Sequence, residues 1–313
     1  MEQLKPDFDV VIIGGGPAGL SAALGCFELG LKAMLYEKEG EFGGQLLRTF
    51  NVIKNYLGIE AADGRELADK FIRQLNSLKV PIKNNSTVTG VDLERKIVTL
   101  GTGEQSSART VIIATGVRRK RLGVSGEVEF EGRGVLHSGV DSKSEVVGKT
   151  VVIVGGGDAA IENAIVLGET ARNVVVIHRK GGFTARKEFV DRAMRQGNIE
   201  FVYESEVCSI NGNEVVSSIE IVNVNDGRRT SVSADAVLIR IGVVPNTDMF
   251  RGQIDMDATG YILVDASNAA SRVGIFAVGD AANPISPTIS TAVGSGATAA
   301  KASSTLINDG FTA

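Results

Sequence analysis

Apolar runs and glycine-rich turns recur along this chain in two similar blocks. Phe8–Ile13 reads FDVVII, a β-branched run that predicts a strand. It meets GGGPAG at Gly14–Gly19, and an Ala/Leu-rich helix is expected to run from there to Leu29, followed by a second strand over Ala33–Glu37. The order returns further on. Thr150–Val154 (TVVIV) is a strand, GGGDAA occupies Gly155–Ala160, a helix runs from Ile161 towards Leu167, and Asn173–His178 (NVVVIH) is the second strand. Each block is a βαβ unit with a glycine-rich first turn. The fold class is therefore α/β, with two Rossmann-like, three-layer dinucleotide-binding domains.

Shorter elements lie between and after the blocks. Lys96–Leu100 and Thr110–Ala114 flank GTGEQSSA and predict a hairpin around that polar turn. Ile219–Val224 and Val232–Ile241 predict a second hairpin around NDGRR. Gly274–Gly279 (GIFAVG) predicts a buried strand ending at Asp280, and Thr291–Leu306 a closing helix. With no low-complexity linker between them, the domains are expected to meet at short hinges near Gly116–Val117 and Pro245–Asn246.

Composition narrows the function classes. The 313 residues suit two domains, the 38 glycines suit many tight turns, and a net charge of −4 gives no basic field for nucleic acid. Residues 1–9 are short and polar, unlike a signal peptide. No apolar run is long enough to span a bilayer, so a cytoplasmic location is expected. The two cysteines, Cys26 and Cys208, stand far apart with no C-x-x-C. They can build neither a structural zinc site nor a vicinal dithiol, and no metal is expected. Cys26, on an apolar helix, reads as a small buried side chain.

The first glycine motif, Gly14-x-Gly16-x-x-Gly19, follows a strand and opens a helix. The first Gly permits the turn, the second lets backbone approach a pyrophosphate, and the third lets helix and strand pack. Pro17 and Ala18 open the helix whose free N–H groups face the phosphates. Glu37 ends the next strand, where a carboxylate can accept from ribose hydroxyls. The second motif, Gly155-x-Gly157-x-x-Ala160, places Ala where only close packing is asked; Asp158 and Ala159 lie inside it. Its second strand ends in His178-Arg179-Lys180 without an acid. Cations there favour a 2′-phosphate, hence NADPH over NADH, although a solvated basic turn reads the same way. Arg186 is a candidate third cation.

Assembled in order, GGGPAG, GGQL at Gly43–Leu46, VIIATG at Val111–Gly116, GGGDAA, VIHRK and FAVGD at Phe276–Asp280 resemble the low-molecular-weight thioredoxin reductases over nearly the whole chain. The resemblance implies an FAD domain made from both ends of the chain (1–117 and 246–313), an inserted NAD(P)H domain (118–245), a homodimer, and a hinge rotation that alternates what faces the flavin. It implies FAD contacts at Glu37, Lys38, Gly44, Gln45, Asn55, Val88, Ala114, Thr115, Gly116, Gly279, Asp280, Thr288, Ile289 and Ser290. Ile241 and Gly242 join the second motif as nicotinamide-nucleotide contacts.

After Gly132-Arg133-Gly134-Val135, where thioredoxin reductases carry C-x-x-C, this chain has Ser138 and Asp141. Neither can take part in dithiol exchange. Leu136-His137-Ser138-Gly139-Val140-Asp141 instead resembles the L-H-x-x-V-D of the thioredoxin-reductase-like ferredoxin/flavodoxin–NADP⁺ reductases. That implies electrons passing from NADPH through FAD to a ferredoxin, a flavodoxin or a small acceptor. A flavin-dependent oxidase or dehydrogenase of a small organic substrate is the alternative. Asp141 is a candidate general acid or a cap of Ser142–Glu145, and His137 a proton donor or a structural histidine. Arg118-Arg119-Lys120-Arg121 is a docking patch for an acidic carrier or a solvated connector.

Overall fold

The computed structural model describes residues 6–50 and 52–310. Of the polar start read over residues 1–9, residues 1–5 lie outside it. Along the chain come β1 (Phe8–Ile13), α1 (Pro17–Glu28), β2 (Ala33–Tyr36), α2 (Gly64–Ser77) and β3 (Ile82–Lys83). β4 (Val88–Asp92), β5 (Ile97–Leu100) and β6 (Gln105–Ile113) follow, and β7 (Val117–Arg119) leads onward. Next are β8 (Val135–Leu136), β9 (Thr150–Val154), α3 (Asp158–Gly168), β10 (Asn173–Ile177), α4 (Lys187–Met194) and β11 (Ile199–Val202). β12 (Ser205–Gly212), β13 (Val216–Asn223), β14 (Arg229–Ser233) and β15 (Ala236–Ile239) precede β16 (Val243–Pro245). β17 (Ile275–Ala277) and α5 (Ile289–Asn308) close the chain.

The chain forms two compact units, Met1–Arg118 with Val244–Ala313, and Arg119–Val243. In the first, the strand order is β3-β2-β1-β6-β5-β4, with β17 also on β6. β1 lies parallel between β2 and β6, in the register Ile13↔Tyr36 and Ile13↔Ile113. Alternate residues of β1 feed opposite faces. Val10 and Ile12 pack with Leu20, Ala23, Ala299 and Ala300 of α1 and α5, while Val11 and Ile13 pack with Phe250, Ile254 and Ile262. Each such fully buried aliphatic side chain contributes about 1.5–3 kcal/mol.

The second unit has a five-stranded parallel sheet, β11-β10-β9-β15-β8, and a separate antiparallel sheet, β12-β13-β14. β9 pairs through Val154↔Ile177 and Val154↔Ile239. Val151 and Ile153 face Ile161, Ala164 and Ala193 on the helices, whereas Val152 and Val154 face Ile219 and Ile221 of the antiparallel sheet.

Two sequence expectations need correction. The first hairpin turns over residues 101–104, and Gln105 already belongs to β6, because polar Gln105, Ser106 and Ser107 pair with β5 before the strand becomes apolar. Val232–Ile241 is not one strand: Ala234 and Asp235 break it. β14 stays in the antiparallel sheet, while β15 crosses to the parallel one, where its apolar residues are buried on both sides.

α1 and α5 pack at the distance that small residues allow. A Cβ at Gly296 would press into the Ala18 carbonyl oxygen and come within 3.0 Å of the Ala22 nitrogen, and one at Gly25 would lie 2.8 Å from Ala300 Cβ. Main chain cannot yield as a side-chain tip can, so Gly296→Ala should cost about 1–3 kcal/mol by overpacking. A urea-unfolding midpoint unchanged from wild type would contradict this packing.

Candidate functional site: two glycine turns and their surroundings

In the first unit the carboxyl ends of β1, β2 and β6 open onto a cleft of about 600 Å³. The turn after β1 divides its glycines between two tasks. Gly14, at φ +110°, sets its Cα against the Ala114 carbonyl, and Gly19 sets its own against the Gly14 carbonyl, so the fold itself forbids side chains there. Gly16 is different: its backbone is extended (φ −77°, ψ −179°) and a Cβ would meet nothing closer than Gly44 Cα at 3.9 Å. The protein leaves that space open, on the cleft side of the α1 N-terminus.

Glu37 is buried at the end of β2. Its Oε2 accepts from the Gly15 N–H at 2.6 Å and its Oε1 from the Glu39 N–H at 2.9 Å, which fixes the carboxylate under the turn. On the far wall, Thr288 and Thr291 form a reciprocal cap that aims the α5 N-terminus at the cleft. Asp280 lies at the same wall, and burial pushes its carboxyl above the usual carboxylate range. Thr115 Oγ1 is buried with no partner among the described residues. An open approach at Gly16, a helix N-terminus and an orphaned hydroxyl fit a dinucleotide.

The cleft gathers Gly14, Gly16, Pro17, Ala18, Glu37, Lys38, Gly44, Gln45, Ala114, Thr115, Gly116, Gly279, Asp280, Thr288 and Ile289. Of the other candidates, Gly19 serves packing, Asn55 is exposed, Val88 is buried in β4, and Ser290 does not line the cleft. Sequence reasoning missed Asn246, whose amide donates to the Thr115 carbonyl at 2.9 Å and whose N–H bonds the Gly116 carbonyl at 2.9 Å. Only the fold brings residue 246 to residue 115, and no local signal marks it.

The second unit repeats the turn. Gly155, at φ +144°, packs against the Arg240 carbonyl, buried Ala160 fills the third place, and Gly157 is open, its nearest neighbour Thr184 Oγ1 at 3.9 Å. His178 takes the place of Glu37, with its ring wedged beneath Gly156 and 5.6 Å from the Phe183 ring. Burial, aided by Lys180 and Arg179, holds its imidazole below the usual value. Arg179 is exposed, 3.9 Å from Glu206, and Lys180 is exposed beside it. Arg186 is committed elsewhere: its Nε donates to Asp158 Oδ2 at 2.9 Å and its N–H to Oδ1 at 2.7 Å, tying the loop before α4 to the start of α3. Ala159 is exposed on α3, Ile241 packs into the core, and Gly242 is exposed at φ +98°.

His137 is 71% exposed and lies 3.7 Å from Glu131. Asp141 opens a short 3₁₀ turn over Asp141–Lys143 with no side-chain cap; its N–H donates to Ser138 Oγ at 3.4 Å. Asp141 is thus no cap of Ser142–Glu145, because it lies inside the first turn and Val140 holds the cap position. The basic run is partly neutralised, with Arg118 on Asp248 at 2.8 Å and Arg121 near Glu131 at 3.4 Å.

Two glycine turns, each at the end of a central parallel strand, define a protein with two dinucleotide-binding units. The chain belongs to the pyridine nucleotide-disulphide oxidoreductase family, whose model matches residues 8–296, and it is an oxidoreductase of that family. It is 32% identical to a Clostridium pasteurianum protein described as a 34.2 kDa protein in a rubredoxin operon, over 95% of this chain and 96% of that one. It is 34% identical to the thioredoxin reductase of Listeria innocua, over 92% and 90% of the two chains. Among solved structures, Lactococcus lactis thioredoxin reductase superposes with a TM-score of 0.88 at 32% identity, covering 97% of this chain and 100% of that one. T. acidophilum thioredoxin reductase gives 0.83 at 29% identity, with coverage of 96% and 99%.

Because the protein makes no demand on Gly16, Gly16→Ala should leave folding stability within about 0.5 kcal/mol. The same change should strip the purified protein of its nucleotide, since the new methyl occupies the pyrophosphate's approach. Visible absorbance of the purified variant is the readout, and retention of a full complement of flavin would refute the reading of the turn.

Proposed function

We propose that the chain is an FAD-dependent NAD(P)H oxidoreductase that works without a redox-active disulfide. Electrons pass from NADPH through FAD to a carrier such as ferredoxin or flavodoxin, or to a small acceptor. The observation that carries this reading is the pair Ser138 and Asp141 in a chain with two cysteines. Those cysteines supply no substitute. Cys26 is fully buried in the core of the first unit, where burial pushes its thiol up to about 12, and Cys208 belongs to β12 in the other unit. A thiol held that high yields almost no thiolate for exchange at neutral pH. The rubredoxin operon in the name of the Clostridium relative supports a small electron carrier as the acceptor. A homodimer in the cytoplasm goes with this reading; among the described residues no helix is long and apolar enough to cross a membrane.

In this reading the residues 1–117 and 246–313 hold FAD and 118–245 hold the nicotinamide nucleotide. FAD supplies the step between two-electron hydride chemistry and single-electron release. The chain's own residues bind and orient. Glu37 presents its carboxylate at the ribose, α1 and α5 present their N-termini to negative charge, and Asp280 closes the wall. Arg179 and Lys180 receive the 2′-phosphate at the end of β10. Asp141, exposed on its 3₁₀ turn four residues after His137, is the candidate general acid of this reading.

Anaerobic mixing with NADPH should bleach the flavin quickly, and NADH more slowly. A disulfide-protein assay should stay at background. Failure of both nucleotides to bleach the flavin would favour the oxidase or dehydrogenase alternative. Disulfide reduction that persists in Cys26→Ser with Cys208→Ser would defeat the mechanism.

Arg179→Ala should raise the KM for NADPH about fivefold, the effect of about 1 kcal/mol at an exposed charge, and spare NADH. Equal changes with both nucleotides would return Arg179 to a structural role.

A further inference from the structure

The two units place corresponding residues at corresponding points, and one pair differs sharply. In the first unit, Ala114 follows β6, donates its N–H to the Ile13 carbonyl at 2.9 Å, and sets its own carbonyl against Gly14. In the second, Arg240 follows β15, donates to the Val154 carbonyl at 2.7 Å, and sets its carbonyl against Gly155. Ala114 lines the cleft of its unit. The residue in the same place of the second turn carries a guanidinium.

Arg240 is only 7% exposed. Its Nη1 donates to the Ile239 carbonyl at 2.8 Å and its Nη2 to the His137 carbonyl at 3.2 Å. Both acceptors are neutral main chain, and among the described residues no carboxylate pairs with the guanidinium. Burial, with Arg119 adding repulsion, brings its pKa down to about 10, which still leaves it a cation at neutral pH. A buried, uncompensated guanidinium is costly, and such groups concentrate at ligand sites.

The sheet order says which part of a dinucleotide it faces. Across β11-β10-β9-β15-β8, the adenosine end belongs at the carboxyl end of β10, where His178, Arg179 and Lys180 follow, and the phosphates at Gly155–Gly157 after β9. The remaining half continues over β15 and β8, and Arg240 bridges the ends of those two strands by its bond to His137.

We propose that Arg240 sets a fixed positive charge beside the nicotinamide end of the nucleotide in the second unit, so that this unit holds the neutral dihydronicotinamide in preference to the cationic oxidised ring. The inference rests on the nucleotide reading given above. Its consequence is that the oxidised nucleotide, once formed, is the weaker ligand and leaves readily.

Dissociation constants of the FAD-loaded protein test this. The oxidised nucleotide is titrated into oxidised protein. The dihydronucleotide is titrated into pre-reduced anaerobic protein, so that no hydride is consumed. ADP-ribose and its 2′-phosphate report the adenosine and phosphate contacts alone. Arg240→Met and Arg240→Gln should lower the oxidised-to-reduced ratio of constants about tenfold, Arg240→Lys should keep the wild-type ratio, and the fragments should bind all four proteins alike. If neither fragment binds the wild type, the nucleotide reading of the second unit fails. If a fragment binds and the ratio stays unchanged in both neutral variants, Arg240 has no such role. If fragment affinity and the ratio's two members weaken together in Met, Gln and Lys, Arg240 serves only the frame of the turn, and the proposal is overturned.

Discussion

Each unit depends on a single close crossing of main chain. The glycine that ends the central strand packs its Cα against the carbonyl oxygen that ends a neighbouring strand, Gly14 on Ala114 and Gly155 on Arg240. A third small residue, Gly19 or Ala160, lets the helix begin without lifting away. From that contact follow the helix axis, the direction of its free N–H groups and the open space at Gly16 and Gly157. Side chains around the crossing can vary, but the crossing cannot, because its atoms are backbone that packs at van der Waals limits.

With the crossing held constant, the units differ by what stands around it. After the second strand, one has Glu37, which accepts from the turn's Gly15 N–H and from the Glu39 N–H, and the other has His178, its ring wedged beneath the turn. The first unit thus has an acid at that point, and the second an imidazole followed by the exposed cations Arg179 and Lys180. After the third, one has Ala114 and the other Arg240. The internal repeat thus sets the same close crossing among different side chains.

The segment after β8 completes the contrast with the thioredoxin reductases that this chain matches in fold. Ser138 and Asp141 follow the His137 carbonyl that Arg240 binds, and Gly139 lies against the Asn163 side chain of α3. The backbone frame of that segment is fully built, although it holds no thiol.

The two βαβ blocks, the turn glycines, Glu37 and the missing C-x-x-C are legible along the chain, because each is a local pattern in which residue type and spacing carry the physics. The rest follows from long-range pairing. The break at Ala234–Asp235 is not set by VSADAVLIRI alone, since what separates β14 from β15 is the sheet each joins. Arg186 looked like a spare cation until Asp158, 28 residues away in sequence, was found to hold it. Asn246 reaches Thr115 across 131 positions. Arg240, a lone charge in AVLIRIG, is a hint in the sequence. Its burial and its lack of a counter-ion follow from which strands flank it, and pairing between distant strands is not written in local order.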